Sequence, residues 1–331
     1  MAKITLKTIA DALDFAVTTV SRALKDDPAI KLQTRRVIQA KARELGYVPD
    51  RAGVRLRTGK TNVISLVLPV EPNMSNVVTR LTVSVAEVLK GTSYNLNTSY
   101  WFEGDDPLGV IKQIVETRAA DGLILNYTTP DDRRVDYLKK QNFPFVTHGR
   151  TSQTDNHPYF DFDNETFACL SVNKLKLRGR RKIMLILPPP ELSYTGHLQR
   201  GLLLGQQQTG VALVACPTIH SDSPSADIEA EVTAMLSTMP DIDAIIASSS
   251  TAAMVTVAVL EAQGRTLGSD IDVLGREAAP FLKLLRKNLL LANEDVGKAG
   301  NFLARALIHA IEQPNEAPMQ GMDIPTIEQI N

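Results

Sequence analysis

Residues 5–57 read TLKTIADALDFAVTTVSRALKDDPAIKLQTRRVIQAKARELGYVPDRAGVRLR, and this stretch sets the frame for the rest of the chain. Leu6, Ile9, Ala10 and Leu13 recur at helical spacing, so one apolar stripe predicts a helix from Leu6 to Leu13 with Thr5 as its N-cap. A second helix begins near Val17, with Val20, Ala23 and Leu24 inward and Val17, Thr18, Ser21, Arg22 and Lys25 outward. A third covers about 32–45, with Ile38, Ala42 and Leu45 inward and Gly46 as its left-handed stop. Two helices joined by a short turn form a helix-turn-helix, whose second helix fits the DNA major groove. There the fork of Arg22 suits O6 and N7 of guanine, and Ser21 and Thr18 reach bases or phosphates. Arg35, Arg36, Lys41 and Arg43 on the third helix suit phosphate, which positions without specifying.

A small helical bundle with a solvated basic face has the same three-helix pattern. The residues from Tyr47 to Arg57 separate the two readings. Pro49 and Asp50 suit the start of a helix over Arg51 to Arg57 that is too short to persist alone in water. On DNA it would turn Arg51, Arg55 and Arg57 toward phosphates and place Leu56 to wedge between base steps in the minor groove.

The order TLKTIA, TVSRAL, ELGYVP and RAGVRL resembles the headpiece and hinge helix of the lactose-repressor (LacI/GalR) family of transcriptional regulators. The resemblance spans the whole chain and is strongest to residue 60. It implies DNA contacts at Thr5, Leu6, Val17, Thr18, Ser21, Arg22, Lys25, Tyr47, Arg51, Arg55 and Leu56. There are departures. Asp14-Phe15-Ala16 stands where the family usually has Gly-Val-Ser, so Asp14 must tolerate φ > 0 and Ala16 removes a capping serine. Lys31 replaces another frequent capping serine. A headpiece less stable when free is expected, with its groove-reading face intact.

Charge agrees with this division. Residues 1–60 carry 13 Lys and Arg against 6 Asp and Glu, whereas the remainder carries 23 against 31. Polyanion binding therefore belongs to the N-terminus, and the acidic body should stay off the duplex. At 331 residues and 44% hydrophobic, the chain has material for one small and two medium domains. It has no run long enough for a membrane span and no signal-peptide core at its start. Its two cysteines, Cys169 and Cys216, have no paired metal spacing and suit a cytoplasmic location.

From Asn62 onward strand-like and amphipathic segments alternate. The strand-like runs are Val63–Leu68, Tyr94–Thr98, Gly122–Leu125, Phe145–Thr147, Tyr159–Phe162, Ile183–Leu187, Ala244–Ala247, Ile271–Leu274 and Leu289–Leu291. Such alternation implies parallel sheets wrapped by helices, and the span is long for one sheet. The fold class expected is α/β: a three-helix helix-turn-helix headpiece with a hinge helix, then a two-lobed periplasmic-binding-protein-like domain of doubly wound parallel sheets. The headpiece takes 1–47, hinge and linker 48–61, and the effector-binding and dimerisation domain 62–331. Lobe 1 takes about 62–160 plus 292–320, and lobe 2 about 161–291 plus 321–331. Gly59-Lys60-Thr61 is read as linker, since a phosphate-binding loop would need glycine where Val54 stands and would follow a strand rather than precede one.

Ligands of open α/β sheets sit beyond the carboxyl ends of the strands. The polar and aromatic residues found there are Asn73, Ser75, Trp101, Asn126, His148, Arg150, Ser193, His197, Ser248, Arg276 and Glu277. Trp101, the sole tryptophan, reads equally as a platform for a sugar face or as lid packing. Arg150 reads as an effector clamp before a bridge between lobes. Asp163 and Asn164 read as structural. Sugar-binding relatives usually place Arg where His197 stands, Asn-Asp where Ser248-Ser249 stand and an acidic residue where Glu277 stands, so a grip through Arg and Asn-Asp is not expected. A neutral glycoside and an acidic sugar derivative both remain open.

The five histidines share no metal-ligand spacing, and no nucleophile stands beside a candidate base. The expectation is therefore no enzyme, no cofactor and no metal. What remains is a cytoplasmic, ligand-responsive, sequence-specific regulator, a repressor of carbohydrate-utilisation genes. It would act as a homodimer on a near-palindromic double-stranded operator, with a small-molecule effector, a sugar or sugar derivative, and without a membrane. The alternative is a cytoplasmic sugar-binding protein or enzyme without operator binding.

Overall fold

The computed structural model describes residues 4–47, 55, 59–70, 76–102, 104–153, 156–277 and 282–330. The chain forms two compact units, Met1–Thr61 and Asn62–Asn331.

The first unit contains α1 (Leu6–Leu13), α2 (Val17–Ala23) and α3 (Leu32–Glu44). Ile9, Ala10, Val20, Ala23, Ile38 and Ala42 are buried together at their centre. Burying a branched aliphatic side chain in this way contributes about 1.5–3 kcal/mol, which short helices need because their own nucleation is unfavourable. Thr5 and Thr8 exchange side-chain-to-backbone hydrogen bonds at 3.2 Å, forming a capping box. Asp14 adopts φ 55° and Gly46 φ 66°, so aspartate serves where the turn needs a left-handed residue. Ala16 and Lys31 stand at the N-caps of α2 and α3 without a side-chain hydrogen bond. The expected hinge helix lies outside the described residues, Leu56 and Arg51 included. Arg55 alone is described; it is helical and exposed, and its carbonyl accepts the Gly59 N–H at 2.8 Å.

The second unit is built on two wholly parallel sheets. The first holds β1 (Val63–Pro69), β2 (Asn95–Trp101), β3 (Gly122–Leu125), β4 (Phe145–His148), β5 (Tyr159–Phe162) and β11 (Gln320–Asp323). Its order is β11-β5-β4-β3-β1-β2. The second holds β6 (Lys182–Ile186), β7 (Ala212–Ala215), β8 (Ala244–Ala247), β9 (Asp272–Glu277) and β10 (Leu290–Asn293), in the order β10-β9-β8-β6-β7. Helices cover both faces of each. In the first sheet Ile64, Leu66, Leu68 and Ile124 face α4 (Asn76–Leu89) and α12 (Val296–Glu312). The alternate residues Val67, Leu123 and Leu125 face α5 (Pro107–Glu116) and α6 (Arg133–Lys140). In the second, Met184, Ile186 and Ile245 face α9 (Ser225–Thr238) and α10 (Ser250–Ala262), joined there by Leu282 of the short α11 (Leu282–Leu285). Ile183, Leu185 and Ile246 face α7 (Asn164–Leu177) and α8 (Ser193–Thr209). This period of two, apolar on both faces, is what a doubly covered parallel sheet requires. No helix among the described residues is long and apolar enough to cross a membrane.

β7, β11 and α8 are among the elements not foreseen, and one lobe boundary is corrected. β7 and β11 are edge strands of four residues, half exposed; β11, Gln-Gly-Met-Asp, shows no apolar run, whereas β7, Ala-Leu-Val-Ala, is apolar but short. α8 carries Gly196, Gly201 and Gly205, which weaken a helical reading, and Gly201 and Gly205 let it approach α7. A Cβ at Gly201 would lie 2.0 Å from the Glu165 carbonyl oxygen. Residues 321–331 were expected in the second lobe. Instead β11 pairs with β5 in the first sheet, and the chain then returns so that Ile330 bridges Ala292 of β10. The lobes are thus joined by three crossings, after β5, after β10 and after β11.

Candidate functional site

In the first unit, Val17, Thr18, Arg22 and Lys25 are exposed and Ser21 is half-buried, so the outer face of α2 is free of the unit's own core. Val17, a large apolar residue, is 43% exposed. Thr5 is exposed, while Leu6 and Tyr47 pack partly against the core, Tyr47 donating its backbone N–H to the Ala42 carbonyl at 2.9 Å. On α3, Arg36 and Arg43 are exposed. Arg35 and Lys41 are engaged within the unit: Arg35 Nη1 donates to the Asp26 carbonyl at 2.9 Å and Lys41 Nζ to Glu44 at 2.6 Å.

In the second unit a cavity of about 160 Å³ opens between the lobes, room for roughly ten waters. Its walls come from the carboxyl ends of strands in both sheets: Asn126 and Thr128 after β3, His148 in β4, Asp161 and Phe162 in β5, Ser248 and Ser249 after β8, Arg276 in β9 and Glu294 after β10. The α8 residue Tyr194 and Ser221-Asp222, beyond β7, complete the second-lobe side. Two backbone features shape the first-lobe side. Tyr127 holds φ 56°, an uncommon state for a bulky residue, and Asn126 Oδ1 accepts its N–H at 2.9 Å. Gly149 holds φ 105°, and a Cβ there would lie 2.6 Å from Thr128 Oγ1. The Thr128 carbonyl in turn accepts the Ser193 N–H at 2.8 Å, a direct tie between the lobes.

The charges of the cavity are arranged in pairs. Arg276 donates Nε to Glu294 at 2.7 Å and Nη1 to Asn164 Oδ1 at 2.9 Å. It also lies over the rings of Phe162 and Tyr194, 4.7 and 5.8 Å from their centroids. Arg150 donates Nε to Asp161 at 2.7 Å, with His197 Nδ1 3.8 Å from the same oxygen. Asp161 and Glu294 are therefore neutralised. Among the described residues no Arg or Lys is paired with Asp222, whose nearest ionisable neighbour of opposite sign is His220. One Asp222 oxygen accepts the Ser221 hydroxyl at 2.9 Å, while Oδ2 is buried without a partner among the described residues, and burial pushes the carboxyl pKa up. His148 Nδ1 is likewise buried without a partner among the described residues. Burial pushes the His148 pKa down, outweighing the pull of Glu294 and Asp161, so the ring is neutral. A neutral imidazole keeps one acceptor and one donor. Buried polar atoms left unpaired are costly, and two in one cavity point to a polar ligand that completes them.

Of the residues picked from sequence, Asn126, His148, Ser248 and Arg276 line the cavity. Asn73 and Ser75, and the side chain of Glu277, lie outside the described residues. Trp101 does not line it: it belongs to β2 and packs on the α5–α6 face of the first sheet, with Arg134 5.4 Å over its ring. Arg150 does not line it either; it meets the lining through Asp161 and through its carbonyl, which accepts the Thr128 hydroxyl at 3.2 Å. Ser193 and His197 sit on α8 behind the lining. Asn164, read as structural, is a lining residue. Asp161, Asp222, Glu294, Phe162 and Tyr194 were not picked; Asp222 follows the unforeseen β7, and Glu294 lies just past the expected end of its strand. Among the described residues no group of three or more His, Cys, Asp or Glu is placed to hold a metal.

Residues 5–50 match the sequence model described as bacterial regulatory proteins, lacI family. Residues 95–283 match that of periplasmic binding proteins and the sugar binding domain of the LacI family. The chain is 27% identical over 333 residues to the HTH-type transcriptional regulator AglR of Rhizobium meliloti, covering 96% of this chain and 91% of that one. It is 34% identical over 208 residues to the HTH-type transcriptional regulator RafR of Escherichia coli, covering 62% of each. Among solved structures it is similar in fold to the lac repressor dimer bound to operator and the anti-inducer ONPF, with TM-score 0.83 at 17% identity over 98% of this chain and 97% of that one. It is also similar to the transcriptional regulator CelR–cellobiose complex, with TM-score 0.71 at 20% identity over 98% of both chains.

Proposed function

The chain belongs to the lacI family of bacterial regulatory proteins and is a DNA-binding transcriptional regulator, and from that premise we propose that it is a cytoplasmic repressor of carbohydrate-utilisation genes. It acts as a homodimer. Each protomer sets α2 in a major groove of a near-palindromic operator, with Val17, Thr18, Ser21 and Arg22 toward the bases. Leu56 pries the minor groove between the half-sites.

The effector is a neutral polyhydroxylated molecule, a sugar or glycoside, held in the cavity between the lobes. The observation that carries this reading is the pair of buried unpartnered atoms, Asp222 Oδ2 and His148 Nδ1, on opposite lobes of one cavity. A carboxylate accepts from hydroxyl donors, and a neutral imidazole exchanges hydrogen bonds with hydroxyls. An acidic ligand would meet Asp222 without a spare guanidinium among the described residues, because Arg276 and Arg150 already hold Glu294 and Asp161. The solved CelR relative holds cellobiose, and another relative is named a ribose operon repressor, which supports the same class. A ligand bound across both lobes favours their closed arrangement, and it alters DNA affinity only by its difference in affinity for the two states.

Calorimetric titration of the full chain with neutral mono- and disaccharides and with matching uronic acids tests this. Neutral sugars bind and shift the salt-sensitive affinity for operator-containing DNA. Tighter binding of the uronic acids would overturn the assignment of the cavity's ligand.

A further inference from the structure

The turn after α2 carries a contact that the DNA-reading face alone does not call for. Asp26 adopts φ 59°, its N–H bonds the Ala23 carbonyl at 3.2 Å, and the Asp27 N–H bonds the Arg22 carbonyl at 3.2 Å. These two bonds form a Schellman closure with aspartate in the place glycine usually takes. The chain reversal brings residue 27 back over residue 22. The Asp27 carboxylate is then divided. Oδ1 accepts the Ala29 N–H at 2.9 Å and fixes the turn, and Oδ2 accepts Arg22 Nε at 2.8 Å.

We propose that Asp27 is the positioning residue for base reading: it anchors Arg22 by Nε and thereby presents the two terminal NH2 groups, end on, to one guanine. The proposal rests on the reading that α2 carries Arg22 into the major groove. The guanidinium makes no other hydrogen bond among the described residues, and its side chain is 53% exposed. An exposed ion pair of this kind adds little to folding. Its consequence is geometrical. A free arginine has many rotamers and must lose them on meeting a base, at a cost of affinity for each rotamer-rich side chain immobilised. An arginine already held by Nε has lost most of that freedom, and Nη1 and Nη2 match O6 and N7 of guanine. The short turn that makes the reversal also keeps Asp27 beside the face that enters the groove.

The test uses the full chain and a randomised duplex library. Selection with the wild type identifies the guanine position, and the recovered duplex and its single-base variants are then titrated with wild type, Asp27→Asn, Arg22→Ala and the double variant. Asparagine keeps an oxygen for the Ala29 N–H, so the turn persists, but its NH2 cannot accept from Nε. Arg22→Ala is expected to reduce guanine preference at one position by roughly 5- to 150-fold. Asp27→Asn is expected to reduce preference at that same position by roughly two- to twelvefold, with unchanged helix content and unchanged affinity for non-specific duplex. In the Arg22→Ala background it should have no further effect. If Asp27→Asn leaves the preference intact while Arg22→Ala removes it, Asp27 has no positioning role. If Arg22→Ala flattens no position, the base reading itself fails and the proposal with it. An equal loss for every duplex would mark Asp27 as a purely structural cap and overturn the proposal.

Discussion

Arg276 Nη2 lies 2.6 Å from Glu294 Oε2, joining the end of β9 to the point where the chain leaves the second sheet for the first. Both side chains are mostly buried. Removing one member of such a pair leaves the other poorly compensated, although Asn164 and the Phe162 ring retain part of the hold on Arg276. Glu294→Ala should therefore lower stability by about 2–3 kcal/mol. The double change to Arg276→Met with Glu294→Gln should recover much of that loss while abolishing ligand binding. Urea unfolding with a ligand titration checks both, and a Glu294→Ala variant as stable as wild type would show that the pair holds nothing in place.

Asp222 gives a prediction of opposite sign. Burial raises its folded-state pKa above the unfolded value. The protonated carboxyl is thus favoured by the fold, a contribution fully present below the unfolded pKa and lost as pH rises through the folded one. At neutral pH the ionised group is a liability retained for the ligand. Asp222→Asn should raise the melting temperature by about 1–3 °C at neutral pH, with the gain shrinking toward acid pH. It should also weaken ligand binding by roughly 10- to 100-fold. A melting temperature that falls at neutral pH, or a gain that grows on acidification, would reverse this account.

What the chain order reveals and what it hides follow from the same physics. α1 ends where its stripe ends, and β3 is the apolar run Gly122–Leu125 itself, because a strand buried on both faces must be apolar throughout. An edge strand is under no such demand. β11, Gln-Gly-Met-Asp, shows no apolar run for that reason. β7, Ala-Leu-Val-Ala, is apolar yet only four residues long and half exposed, and Asp222, which follows it, stays hidden with it. Trp101, read equally as a sugar platform or as packing, is placed off the cavity for a different reason. β2 runs to Trp101 itself, pairing it with Pro69, so strand alternation rather than loop position sets its direction. The partnership of Arg150 with Asp161 is made in space across β4 and β5, and no spacing along the chain announces it.

The basic residues of α3 should divide into two kinds. Arg36 is exposed, while Arg35 is tied to the Asp26 carbonyl that closes the turn after α2. Arg36→Ala should weaken binding uniformly across sequences and reduce the slope of log affinity against log salt by about one, without changing thermal stability. Arg35→Ala should instead destabilise the first unit by about 1 kcal/mol. Filter binding at several salt concentrations, with circular dichroism melting, separates them. Equal salt slopes for wild type and Arg36→Ala would remove Arg36 from the phosphate contacts.

Ala16 stands at the N-cap of α2 with extended backbone, φ −62° and ψ 142°, and offers no acceptor to the first turn. A serine there would accept a backbone N–H of that turn, most directly that of Thr19, from a backbone already shaped for it. Ala16→Ser should stabilise α2 by about 1 kcal/mol. Amide exchange at Val20 and Ala23 should then slow by about fivefold if those amides open with the helix. Because α2 is the element proposed to enter the groove, the same change should tighten binding to the selected duplex without altering which base is preferred. Unchanged exchange would mean that the packing of Val20 and Ala23, and not the missing cap, sets the stability of this helix.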